Sequence, residues 1–192
     1  MIIYVLHDPR LPDSYWQACS DELQRQGITQ YQVHFPVQCP GDWSVAHCIN
    51  ASHKNLVALA KFHNLEEVCI MESDVMFPAE DGWEWFLRNK PRFYDLYLGG
   101  TYGEFMLMSD GETNVVQRPA GFHCYMIHSS YYDRFLSTPD DSHIDDAQTG
   151  GIYKVCYPFA ALQRPGYSSN AKKEVNYNHD LFNNRKQDVY GW

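Results

Sequence analysis

Residues 68–77 read Val68-Cys69-Ile70-Met71-Glu72-Ser73-Asp74-Val75-Met76-Phe77, an apolar run broken near its end by two carboxylates. Its length and β-branched residues predict a buried strand of an α/β sheet. Side chains two apart on an extended chain point to one side, which sets Glu72 and Asp74 together and Ser73 opposite. Two acids where a parallel strand runs out lie where open α/β sheets place their ligands. Unpaired, they would repel each other and lose hydration, so a cation belongs between them. A divalent metal carrying a phosphate-bearing substrate is the natural candidate. The plainer reading is a strand end that reaches solvent with both acids hydrated.

On either side of this run the hydrophobic pattern alternates between strand and helix. Ile2–Leu6 predicts a first strand, followed by a turn-rich stretch, a helix over 15–26 ended by Gly27, and a second strand over 31–37. Residues 44–63 carry helical spacing, with Ile49, His53, Leu56 and Ala60 on one stripe. Beyond the acids, 83–87 predicts a short helix and 94–98 a strand closed by Gly99-Gly100, a turn that admits close backbone approach. The pieces 105–108 and 115–116 suggest a hairpin, 122–127 a strand, 129–136 a helix and 153–156 a last strand. The expectation is an α/β fold with a mixed, mostly parallel central sheet, in one domain over 1–163. From Arg164 the chain turns polar, and 164–192 is read as a tail that orders over a ligand.

A chain of 192 residues supports one sizeable core rather than two. Its formal net charge of -9 argues against non-specific nucleic-acid binding, which relies on Lys and Arg to displace counterions. The same charge means that a phosphate ligand must be held by a metal or a local Arg. The 14 Tyr and 5 Trp supply flat apolar platforms of the kind sugar-binding surfaces use, although the same residues fill cores. Cys19, Cys39, Cys48, Cys69, Cys124 and Cys156 form no C-x-x-C pair, and all six are expected to be free thiols. The N-terminus lacks a basic n-region and no stretch reaches the length of a membrane span. Asn50-Ala51-Ser52 is read as a chance sequon. A reduced, cytoplasmic protein is the expectation.

Several segments, in order, resemble glycosyltransferase family 25, the group of lipopolysaccharide and collagen galactosyltransferases. Ile3-Tyr4-Val5-Leu6-His7-Asp8-Pro9-Arg10 resembles the family's "INLDRR" start, and the helix segment from Ala51-Ser52-His53 to Ala60 is similar to its "SHLAALRYA". The run from Cys69 to Phe77 is similar to "ILEDDVVF", the strand from Asp95 to Gly99 to "DLLYLG", and the segment from Gly121 to Ile127 to "GTHAYLIS". His143-Ile144-Asp145 resembles "PVD", and Pro158, Gln163 and Ser168 resemble a spaced "P…Q…S". The resemblance covers the chain to about Ser169. It implies a GT-A nucleotide-diphospho-sugar transferase fold and transfer of a sugar from a nucleotide donor, UDP-hexose, to a glycan or other hydroxyl acceptor with inversion.

Carried over residue by residue, the resemblance makes Glu72 and Asp74 metal ligands, with manganese preferred over magnesium; His179, in the tail beyond the resemblance, is a solvated residue or, by analogy with late histidines of some GT-A enzymes, a further ligand. Arg10, all that remains of a basic cluster, is a donor contact, as are Glu72, His53 and Gln163. His53 is otherwise a hydrogen-bonded core histidine, and Gln163 a partner of backbone. Asp145, with Asp146 as second choice, is the base that takes the acceptor proton. Read without the family, these two form a helix N-cap and its first turn. Two departures stand out: Ser73 replaces the family's middle Asp, and Ser169 replaces an acid. They leave open a degenerate sugar-nucleotide or glycan binder. The same acids would also serve a metal-dependent nucleotidyltransferase.

Overall fold

The computed structural model describes residues 1–106, 114–168 and 171–177. In chain order the elements are β1 (Ile2–Leu6), α1 (Asp13–Arg25), β2 (Gln32–His34), α2 (Val45–Phe62), β3 (Glu67–Glu72), β4 (Val75–Met76) and α3 (Gly82–Arg88). There follow β5 (Leu96–Leu98), β6 (Glu104–Met106), β7 (Asn114–Arg118), β8 (Cys124–His128) and α4 (Tyr132–Leu136). The chain closes with β9 (Tyr153–Val155), β10 (Leu162–Gln163), β11 (Gly166–Ser168) and β12 (Lys173–Val175).

Eight strands form one sheet in the order β2-β1-β3-β8-β5-β9-β7-β6. The pairings set β8 and β7 against the other six, so the sheet is mixed, with four of its seven described pairings antiparallel. β3 lies inside the sheet and feeds both layers of core. Val68 and Ile70 pack toward Leu56, Val57 and Ala60 of α2 on one face. Cys69 and Met71 pack toward Cys19 and Leu23 of α1 and Phe86 of α3 on the other. Burial on both faces explains why this strand reads as an unbroken apolar run. β4 pairs antiparallel with β10, and β11 with β12, in two small two-stranded sheets beside the main one.

The helices follow their local signals. Ser44 caps α2 by accepting a hydrogen bond from the His47 amide at 3.1 Å. Gly27, at φ +70°, takes the left-handed turn that ends α1. The expected helix over 129–136 divides into a 3₁₀ turn, Ser129–Tyr131, and α4. The expected strand over 31–37 shortens to β2, a sheet edge on which Val33 stays exposed, as does Phe35 just beyond it.

Gly99 and Gly100 do receive a neighbouring backbone. The Ala160 and Ala161 amides both donate to the Gly99 carbonyl, at 2.8 and 3.0 Å, and a Cβ on Gly100 would collide with the Ala161 carbonyl. The side chain of the sequon asparagine is turned into the protein. Asn50 is fully buried, and its side-chain amide donates to the carbonyls of Pro139 and Ser142.

One expectation is corrected. Cys39 and Cys48 are joined in a disulfide with a Cα–Cα distance of 5.6 Å, while Cys19, Cys69, Cys124 and Cys156 are buried free thiols. The segment between β2 and α2 folds back and brings Cys39 to the first turn of α2, a tertiary proximity that spacing alone does not encode. Among the described residues, no helix is long and apolar enough to cross a membrane.

Candidate functional site

β1 and β3 run parallel and end side by side at Leu6 and Glu72. Their carboxyl ends open onto a cavity of about 530 Å³. One wall is the turn after β1, with Asp8, Arg10 and Leu11, backed by Tyr15 of α1. A second is the segment before α2 and its first turns, with Pro36, Val37, Trp43, Ile49 and the Cys39–Cys48 bridge. Glu72, Ser73 and Asp74 form the floor, and Gln163, Tyr167 and Ser168 close the remaining side.

Both carboxylates line the cavity, by a geometry other than strand alternation. β3 stops at Glu72, and Ser73-Asp74 is a turn, so strand alternation no longer applies and all three residues line the cavity. Ser73 is buried, its amide donating to the Leu6 carbonyl at 2.9 Å and its hydroxyl lying 3.2 Å from His7 Nδ1. Asp74 is tied to β10 across the small sheet. Gln163 Nε2 donates to Asp74 Oδ2 at 2.7 Å, and the Arg164 amide donates to the Asp74 carbonyl at 2.6 Å. Gln163 is itself fixed by its amide, which donates to the Tyr102 hydroxyl at 3.0 Å.

Asp74 Oδ1 is buried and has no hydrogen-bond partner among the described residues. Burial first, and the Glu72 charge second, push this carboxyl up to about 7. Glu72 goes the other way. Burial works to raise it, but the hydrogen bond and charge of His53 hold it below the usual carboxylate range. One acid of the pair is therefore held ionised while burial and the neighbouring charge oppose ionisation of the other.

His53 is fully buried and does not line the cavity. Its Nε2 lies 3.0 Å from Glu72 Oε1 and its Nδ1 lies 2.9 Å from the Tyr125 hydroxyl, so it reaches the site only through Glu72. Arg10 lines the cavity but is already engaged. Its Nε and Nη2 fork onto the two carboxylate oxygens of Asp8 at 2.8 and 2.7 Å.

Asp145 and Asp146 stand outside the lining. Asp145 Oδ2 accepts the Gly121 amide at 2.7 Å and its Oδ1 accepts the Asp146 amide at 2.9 Å. Asp146 is exposed and pairs with Arg118 at 3.2 Å. His179 and Ser169 lie outside the described residues. Asp8, Tyr15, Trp43 and Tyr167 are lining residues that the sequence did not single out. Only Asp8 carried a signal, through its place beside Arg10 in the first turn.

Among the described residues no group of three or more His, Cys, Asp or Glu side chains is placed to hold a metal. The pair at the floor nevertheless fits a hard divalent cation in its chemistry, with two carboxylates and one buried oxygen that nothing else satisfies.

A scan against protein-family models gives no match, and no curated protein matches the chain. Solved structures do. A glycosyltransferase involved in the glycosylation of the major capsid of PBCV-1 is 13% identical, over 69% of this chain and 62% of that one, with a TM-score of 0.39. HddC from Yersinia pseudotuberculosis, complexed with GMP-PN, is 11% identical over 80% of this chain and 88% of its own, with a TM-score of 0.46. The inositol-1-phosphate CTP transferase from T. maritima is 14% identical over 79% and 64%, at 0.38. This chain thus spans less than two thirds of the length of the capsid glycosyltransferase. At such identities and TM-scores the reading of the site rests on its own residues.

Proposed function

We propose that this chain is a hexosyltransferase of the family 25 kind, moving a sugar from a uridine-diphosphate donor to a hydroxyl acceptor with a divalent metal at Glu72 and Asp74. The charge of the cavity carries the reading. Among the described residues, three carboxylates, Asp8, Glu72 and Asp74, line it against one guanidinium, Arg10, which is already forked onto Asp8. A diphosphate entering alone would be repelled. A dication between the two floor acids reverses the sign of the field it meets. The ordered segments that resemble the family support the same reading.

When bound, the metal neutralises the charge that develops on the departing diphosphate. The chain's own residues do the rest. Gln163 holds Asp74 Oδ2 so that Oδ1 faces a single task, and Glu72 stays ionised under the His53 hydrogen bond. Leu6, Leu11, Pro36, Val37 and Trp43 give an apolar wall that keeps water from the nucleoside side of the donor. Asp145, which stands outside the cavity lining with its carboxylate held by two backbone amides, is kept as the candidate base for the acceptor proton, with Asp146 as the second candidate. Attack from the face opposite the diphosphate inverts the anomeric centre. His179 is the remaining candidate for a third ligand.

The test is a product assay with manganese and a panel of sugar nucleotides, and in parallel with sugar phosphates and nucleoside triphosphates. The expected product is uridine diphosphate, formed only with metal and lost in Asp74→Asn. Pyrophosphate would point to nucleotidyl transfer, and donor binding without either product to a degenerate binder. Either result would overturn the proposal.

A further inference from the structure

The chain between β2 and α2 carries turn-forming residues, Pro36, Pro40 and Gly41, yet it is tied down at several points. The Val37 amide donates to Ser52 Oγ at 2.9 Å, and that hydroxyl donates to the Cys48 carbonyl at 2.6 Å. The Cys39–Cys48 bridge closes the loop between them. Inside it the Trp43 amide donates to the Pro40 carbonyl at 3.0 Å, and Ser44 then caps α2. Trp43 is half-buried on this anchored loop and borders the cavity.

One face of its indole is already covered. His47, one helical turn on, stacks against it with ring centroids 3.6 Å apart and planes 8° apart. Trp43 borders the cavity and His47 does not, so the cavity meets a part of the indole that His47 leaves bare. Pro36, Val37, Val45 and Ile49 make the same wall apolar. A flat ring in apolar surroundings suits a second planar ring, since stacking needs only a π-face. A loop fixed beforehand also loses little entropy when such a ligand docks.

Strand order decides which end of a donor this wall would meet. β1 and β2 lie to one side of β3, and β8 lies to the other. Trp43 comes from the connection after β2. Gly121, whose amide holds the candidate base Asp145, comes just before β8, whose Cys124 pairs with Met71 of β3. The acceptor chemistry thus belongs to the β8 side, and the β2 side is left for the base.

We infer that Trp43 is the platform on which the base of the nucleotide donor stacks, extending the His47–Trp43 stack into the cavity. This role rests on the reading of the cavity as a nucleotide-donor site.

Two probes test it on the full chain. Uridine in chelator has a base and no phosphate for the floor acids to repel, and methyl α-galactoside is a hexose without a base. Uridine is expected to shift the Trp43 indole signal in nitrogen-15 spectra, assigned by its loss in Trp43→Ala, while the galactoside leaves it in place. Uridine affinity should fall about tenfold or more in Trp43→Ala and largely survive in Trp43→Phe, as the loss of one stacked base requires. A signal that uridine does not move overturns the inference, as does equal uridine affinity in wild type and Trp43→Ala. A signal moved by the galactoside also overturns it, because the platform would then take a sugar. If uridine shifts Trp43 but a uridine-diphosphate sugar binds equally with manganese and with chelator, the metal reading of Glu72 and Asp74 fails while the platform stands.

Discussion

Asp74 keeps one carboxylate oxygen out of solvent with no partner, beside a second acid, and this predicts an inverted response to pH. Its carboxyl is raised from 3.8 to about 7 by burial and by Glu72. Between those values the folded chain keeps a proton that the unfolded chain has released, so this residue's share of stability falls as pH rises and levels off above about 7. In chelator, Asp74→Asn should therefore exceed the wild type by about 1–3 kcal/mol near pH 8, the usual cost of a buried group left unsatisfied, and by less near pH 5. Denaturant unfolding at the two pH values checks this, and a variant less stable than wild type at pH 8 would contradict it. The two acids were legible in the sequence because they interrupt an apolar run. Their geometry was not. Glu72-Ser73-Asp74 continues the alternation of a strand, and nothing local announces that the strand ends at Glu72. Nor does the sequence reveal that His53 meets Glu72, because that contact is made by packing α2 on β3.

Helix α2 and strand β3 could be read from the chain because each carries its own period and α2 its own cap at Ser44. The connections between elements could not. The Cys39–Cys48 bridge fastens the β2–α2 connection to the first turn of α2, where both cysteines line the cavity. Alkylation under denaturing, non-reducing conditions should therefore label four cysteines, with six labelled after reduction, as read by intact mass. Six labels before reduction would remove the bridge. The polar stretch after Arg164 shows why tails resist sequence reading. β11 and β12 form a hairpin there, and the Tyr167 amide donates to the Tyr15 hydroxyl at 3.1 Å, so the segment is held by a distant helix rather than by a pattern of its own.

Across the whole molecule the sequence gives the charge and the alternation of elements, and the fold decides where that charge is concentrated. A net charge of -9 spread over the surface would say little about ligands. Three of the acids face one cavity at the carboxyl ends of two parallel strands, with a single engaged arginine among the described lining residues. That arrangement repels a diphosphate in the absence of a cation and attracts one in its presence, which makes metal dependence of donor binding the most direct thing to measure. Calorimetry of a uridine-diphosphate sugar against the wild type and Asp74→Asn, each with manganese and with chelator, provides it. Tight binding is predicted in one condition of the four, the wild type with manganese, with affinity at least about tenfold weaker in the others. Equal affinity in all four would contradict a metal-held diphosphate at Glu72 and Asp74.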